Sequence, residues 1–364
     1  MDTLDRFEEN QKEAEPIGPA LPPPRAQKTE FLAECDKGYE IINGIPCYQP
    51  EHVVDGHIQI FERIGYDDSV GGTFHGLGAD GKELVLRVAP ADETAHPVRM
   101  EAAFLCKVEG AEPNDWRHFS QVHKIFATDD AFHLSLYFRG GPSLEQCFAL
   151  RNKFTFGTAG RLSNDVLNII RCAHKHGYLL RNVNPDVFHY DAASRHLFQA
   201  DISSLIKGVS EGAVANFVGS LDYAPLAHHS DEKVGARHDL ESWLYLTLHL
   251  VLGELPWASL RRELVGEAKT EFRKSQQFQE LPEQFHKIAE IVFSDRVAVA
   301  EHEYSLLAEL TAQIYTELGG ITDHEQNMDF EREPTADEIP RLVMCRDVQL
   351  EDVPEENEEE EEEE

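Results

Sequence analysis

Two of the four polar side chains in Leu179-Leu180-Arg181-Asn182-Val183-Asn184-Pro185-Asp186-Val187 are amides. Asn182 and Asn184 can donate and accept hydrogen bonds, but an amide neither takes up a proton as a base nor supplies a positive charge. Upstream, Gly65-Tyr66-Asp67-Asp68-Ser69-Val70-Gly71-Gly72 has the glycines of a loop whose backbone N–H groups could cradle phosphate. Asp67 and Asp68 sit in its middle, where two carboxylates would repel a triphosphate, so Gly65 and Gly71 fit a hairpin turn as well. Arg87 ends an apolar strand pattern and Glu101 lies on a helical stretch. A forked guanidinium can meet a carboxylate bidentately, and the simplest reading is a structural pair tying strand to helix. Asp201, in Leu197–Ser203, follows a short apolar run, where a lone Asp is commonly a turn former.

The elements that must position these residues follow from periodicity. Ile58–Ile64 alternates, Gly72–Gly76 follows the glycine turn, Asp80-Gly81 is a hairpin signal, and Leu84–Val88 completes a third strand. Val98–Leu105 has helical spacing, and Ala131–Phe138 reads as a further strand element. Apolar residues at 162, 166, 169, 170 and 173 predict a helix leading into Tyr178 and the amide-rich stretch. His238–Trp257 is apolar nearly all round, which predicts a helix buried in a large lobe, with Asp239 as its N-cap and Gly253 closing it. Helices are also expected within Glu267–Gln276, Pro282–Phe293 and Tyr304–Leu318, with the chain up to Val343 wrapping the lobe.

The 364 residues suffice for two lobes with real cores. Net charge is −34: −11 falls in residues 351–364, −5 in residues 1–50, and −18 on the remainder. A body this acidic repels phosphate backbones and anionic lipid, so nucleic acid and membrane surfaces are not expected partners, and a basic protein partner is. Six cysteines are scattered with no CxxC, which suits a reducing compartment. The start, Met1-Asp2-Thr3-Leu4-Asp5, lacks the apolar core of a secretory leader, and no apolar run is long enough to span a bilayer. Residues 1–50 read as a disordered or loosely docked arm, with some ordering open from Phe31 to Tyr48.

Several segments, in order, carry a resemblance. Gly177-Tyr178-Leu179-Leu180-Arg181-Asn182-Val183-Asn184-Pro185-Asp186-Val187-Phe188 parallels the catalytic loop Gly-Tyr-Leu-His-Arg-Asp-Ile-Lys-Pro-x-Asn-Phe. Arg99-Met100-Glu101, Gly141-Pro142-Ser143-Leu144-Glu145, Gly219–Ala224, Asp239-Leu240-Glu241-Ser242 with Leu255-Pro256-Trp257, Tyr304–Leu307 and Asp329-Phe330-Glu331 add to it. From about Pro50 to Glu333 the chain resembles the casein kinase 1 group of protein kinases, and within it the tau-tubulin kinase branch. The resemblance implies a bilobal α+β fold, with a small β-rich lobe over about 51–140 and a larger helical lobe over about 141–333. Residues 334–350 are then an extension, and 351–364 an acidic disordered tail. It also implies a nucleotide cleft and, in active members, Ser/Thr phosphorylation of acidic-context or cytoskeletal substrates.

Departures from the family pattern fall on the chemistry. Asn182 stands for the base Asp, Asn184 for the phosphate Lys, Val187 for the metal-binding Asn, and Arg87 for the strand Lys. Asp201, the metal carboxylate, is retained, and the glycine loop is one residue longer than the usual spacing. Leu180 and Ile202 replace a loop His and a Phe, so an apolar stack between the lobes could persist without a ligand. These departures predict a catalytically impaired, pseudokinase-like scaffold or allosteric regulator. Its expected partner is a protein: a basic one, an active kinase or that kinase's substrate. No cofactor is expected. The alternative is a residual ATP binder or weak kinase, its nucleotide site drawn from Gly65, Gly71, Arg87, Glu101 and Asp201, with Asp201 as metal ligand and Mg²⁺ weak or absent. A third reading, suggested by Glu358–Glu364, is an acidic-tail binder of basic proteins, against which a solvated charge run is preferred. A cytoplasmic setting is expected, with the nucleus open. His228-His229 and the His174/His176 pair read as surface or loop histidines and not metal ligands, because no Cys or carboxylate cluster stands beside them in the sequence. Ser203, Ser204 and Ser210 read as ordinary loop serines.

Overall fold

The computed structural model describes residues 38–67, 71–208, 215–296, 298–321 and 326–332. The chain first makes a hairpin, β1 (Glu40–Ile42) and β2 (Ile45–Cys47), turned by Asn43 and Gly44, both at positive φ. Asn-Gly is the dipeptide that such two-residue turns demand. Next come β3 (Val53–Val54), β4 (Ile58–Asp67), β5 (Gly71–Gly78) and β6 (Glu83–Pro90), then helices α1 (Pro97–Glu109) and α2 (Pro113–Trp116). Strands β7 (Val122–Ala127) and β8 (Ala131–Tyr137) complete a six-stranded sheet of order β3-β4-β5-β6-β8-β7. Its neighbours are all antiparallel.

The small lobe begins before residue 51. Ile45 and Tyr48 are buried with Ile58, Ile60, Phe74 and Leu86, and the Tyr48 hydroxyl lies 2.7 Å from His133 Nε2 on β8. The loosely docked arm thus gives way to core by residue 45, because apolar Ile45 and Tyr48 cover one face of a sheet that would otherwise meet water. Residues 1–37 lie outside the described residues.

The glycine-rich stretch is mostly strand. Gly65 lies in β4 opposite Thr73, and Asp67 pairs with Gly71, while residues 68–70, with Asp68, lie outside the described residues. Gly71 has φ +82, and a Cβ there would stand 2.0 Å from the Val88 carbonyl oxygen. Sheet packing against β6 therefore explains its glycine.

The large lobe follows: α3 (Leu144–Ala149), α4 (Phe156–Lys175), β9 (Tyr178–Leu179), a 3-10 turn (Pro185–Val187), β10 (Phe188–Asp191), β11 (His196–Gln199) and β12 (Ile206–Lys207). Helices α5 (Leu226–His229), α6 (Ala236–Leu252), α7 (Arg262–Phe272), α8 (Gln276–Gln279), α9 (Glu283–Val292) and α10 (Glu301–Gln313) complete it. A π-turn over Ile314–Leu318 extends the last one. The expected all-round apolar helix is α6, and the Trp243 indole N–H donates to the Ser163 carbonyl of α4 at 2.8 Å. Its N-cap is Gly235, so Asp239 is one turn inside the helix and serves another purpose. Residues 326–332 return to α4. Asp329 accepts the Thr155 N–H at 2.6 Å at the N-terminus of α4, where a carboxylate is favoured by the helix dipole. Phe330 packs against Phe154 and Tyr190. Residues 333–364, including the extension and the acidic tail, lie outside the described residues. Among the described residues, no helix is long and apolar enough to cross a membrane.

One apolar cluster joins the lobes. Val98, Ala102 and Leu105 of α1 and Leu134 of β8 share it with Leu180, Ile202, Leu240 and Leu244. A small β-rich lobe on a helical one is the bilobal α+β, kinase-like fold that the sequence predicts.

Candidate functional site in the interlobe cleft

Strand β6 presents Arg87, whose register partners are Thr73 and Leu134. Helix α1 presents Glu101. That helix starts at Pro97, suited to a first helical position, and the His96 ring caps it by accepting the Val98 N–H at 3.3 Å. The cap was not legible in the sequence, because His is an uncommon N-cap. Arg87 Nη1 donates to Glu101 Oε2 at 2.6 Å, and Arg87 Nη2 lies 3.5 Å from Asp201 Oδ1. The pairing is therefore not bidentate on Glu101. One guanidinium bridges two carboxylates and ties strand, helix and the turn after β11 together.

Burial pushes the Glu101 carboxyl up, and Arg87 pulls it back. Burial also works against the charge on Asp201, but Arg87 and the Ser203 N–H hold its carboxyl below the usual range. Arg87 loses hydration too, yet its two acidic neighbours raise its pKa further, so the guanidinium keeps its charge. Asp201 is also the turn former that the sequence suggests, accepting the Ser203 N–H at 2.9 Å.

The amide-rich loop is held from below by Asp239. Its carboxylate accepts the backbone N–H of Leu180 at 2.8 Å and of Arg181 at 2.9 Å, and meets His174 Nε2 at 2.9 Å. His174 is thus a buried partner of Asp239 and Tyr304, not a surface histidine. The loop needs this support, since Arg181 is in the left-handed region at φ 63. The Arg181 side chain donates to the carbonyls of Ser204 (2.7 Å) and Asn216 (3.1 Å), binding the loop to the segment after β11.

Asn184 donates to Asn182 Oδ1 at 2.6 Å and accepts the Asp186 N–H at 2.8 Å, capping the 3-10 turn. Gly219 passes so close that a Cβ there would stand 2.5 Å from Asn182 Oδ1. Val187 is buried in the apolar cluster. Asn184 is thus engaged with Asn182 and with the backbone, and Val187 offers no ligand atom. Asp201 and Glu101 supply the site's acidic oxygens, and both are turned to Arg87. Arg87 faces both carboxylates, while the Asp201 side chain stays 45% exposed.

Elsewhere, Lys269 of α7 is buried and donates to the carbonyls of Leu221 (2.7 Å) and Ala224 (2.6 Å), fixing the segment before α5. His229 is half-buried against Lys269 and is not a plain surface residue.

The chain is similar to two curated kinases. Spe-6, a serine/threonine-protein kinase of Caenorhabditis elegans, is 29% identical over 197 residues, covering 49% of this chain and 52% of that protein. A probable serine/threonine-protein kinase of Dictyostelium discoideum is 27% identical over 287 residues, covering 73% of this chain and 55% of that protein. The chain spans about half the length of the curated relatives it matches. No protein-family model matches it. Fold and relatives together support a place in the protein kinase superfamily: this is a protein kinase-like protein.

Proposed function

We propose that this is a catalytically impaired member of the casein kinase 1 group, of the tau-tubulin kinase type, which acts by binding another protein as a scaffold or allosteric regulator. Asn184 and Val187 carry the reading: Asn184 is hydrogen-bonded to Asn182 and supplies no cation, and Val187 is buried in the apolar cluster and supplies no metal ligand. Asn182 adds to it, since an amide cannot accept the proton of an attacking hydroxyl. Apolar residues on the small lobe suit a protein partner: Val53, Phe61 and Ile64 are 51%, 42% and 50% exposed. The net charge of −34 favours a basic surface on that partner, in the cytoplasm or the nucleus.

Thermal unfolding of the full chain with ATP, with and without Mg²⁺, tests this, alongside a transfer assay from labelled ATP to a basic protein. Neither a shift nor transfer is expected. A ligand at about a hundred times its Kd stabilises by about 2.7 kcal/mol, which is readily seen. A shift requiring Mg²⁺ together with transfer would overturn the proposal and establish the weak kinase, which the survival of Asp201 and Glu101 keeps as the second reading.

A further inference from the structure

His176 does not stand alone. Cys172 and His176 lie four residues apart at the C-terminal end of α4, on one helical face, and Asp115 of α2 meets them there. One ligand atom from each of the three lies within 4.8 Å of the others. Cys172 is 2% exposed, and Asp115 and His176 are half-buried. His176 Nε2 is shut off from solvent without a hydrogen-bond partner, and desolvating an imidazole nitrogen uncompensated is unfavourable. The sequence set His176 aside as a ligand for want of a neighbouring Cys or carboxylate. Cys172 already lies one helical turn before it, and folding adds the carboxylate, from a helix 57 or more positions away in the chain.

We propose that Asp115, Cys172 and His176 form a binding site for a divalent transition-metal ion, with Zn²⁺ the best match. A donor set of thiolate, imidazole and carboxylate suits zinc, whereas Mg²⁺ and Ca²⁺ take oxygen ligands. Donors around tetrahedral zinc at about 2.0–2.3 Å lie roughly 3.3–3.8 Å from one another. Closing the site therefore takes movements of about 1 Å, the scale of a side-chain rotation. On binding, Cys172 releases its thiol proton to water, and Asp115 passes from Lys175 Nζ, now 2.7 Å away, to the ion. Water completes the fourth position. The ion would fasten α2, which follows the helix carrying Glu101, to the residues just before β9 and the amide-rich loop.

The test uses the full chain stripped of metal by a chelator and titrated with Co²⁺, then Zn²⁺. One equivalent of Co²⁺ is expected to give thiolate-to-cobalt charge-transfer absorption, which Zn²⁺ then abolishes. Cys172→Ser removes that absorption. His176→Gln, at a half-buried helix end, retains the fold by circular dichroism and weakens Co²⁺ by more than the about 10- to 100-fold that loss of an outer-shell partner costs. Absence of the absorption from the unaltered chain at one equivalent overturns the proposal. So does its persistence, at unchanged affinity, in folded His176→Gln.

Discussion

Arg87 does structural work that a Lys could not do in the same way. Its fork reaches Glu101 and Asp201 at once, whereas an ammonium is a single point charge. Glu101 has a side chain 2% exposed, so removing its partner strands a buried charge. Arg87→Met should cost about 3–5 kcal/mol in urea unfolding. Glu101→Met added to it should recover much of that loss, since an apolar pair strands no charge. If the double variant is no more stable than Arg87→Met alone, the bridge does not hold strand to helix. The sequence made Arg87–Glu101 legible because both residues sat at fixed places in a strand–helix order. Asp201 as the third member was not legible, since a turn after β11 can aim a carboxylate either way. Asp239 was misread as a cap because cap residues are recognised by type, and its type is equally that of a buried acceptor.

Between elements, the β1–β2 hairpin shows what was available and overlooked. Asn43-Gly44 between Ile42 and Ile45 is a hairpin signal, hidden by the charge and proline that surround it in residues 1–50. Its seal against the sheet includes Tyr48 and His133. Burial lowers the His133 pKa from 6.5 to about 4. Between those values the unfolded chain binds the proton and the folded one does not, so stability falls as pH drops from 6.5 towards 4. The contribution of this one ring is at most about 3 kcal/mol. Acidification also relieves repulsion in a chain of net charge −34, so the raw curve mixes opposing effects. The difference curve between the unaltered protein and His133→Gln isolates the ring. Its loss of stability over that pH range should be smaller in the variant, and equal losses would show that His133 takes no part.

For the whole molecule, one apolar cluster is shared by the two lobes. Leu180 and Ile202 are 0% and 3% exposed and lie in that cluster with residues of α1 and α6. Ile202→Ala should therefore cost about 2–5 kcal/mol. Amide hydrogen exchange should quicken in β6 and in α6 together; a change confined to one lobe would mean that the lobes are held by something else. The bilobal plan was legible because strand and helix periodicities segregate along the chain. The cluster's continuity was legible only as substitution of apolar for aromatic or imidazole at two positions. Of the proposed metal-ligand grouping, the spacing of Cys172 and His176 was legible and Asp115 was not, because nothing local relates residue 115 to them.

The support beneath the loop has a consequence for descent. Asp239 grips the backbone of Leu180 and Arg181, not the side chains that a reaction would use. The path of the loop at Leu180 and Arg181 is thus set from beneath, by a carboxylate that touches none of the side chains of residues 182, 184 and 187. In the course of descent, the residues displayed beyond Arg181 could change while this grip on the backbone was inherited intact.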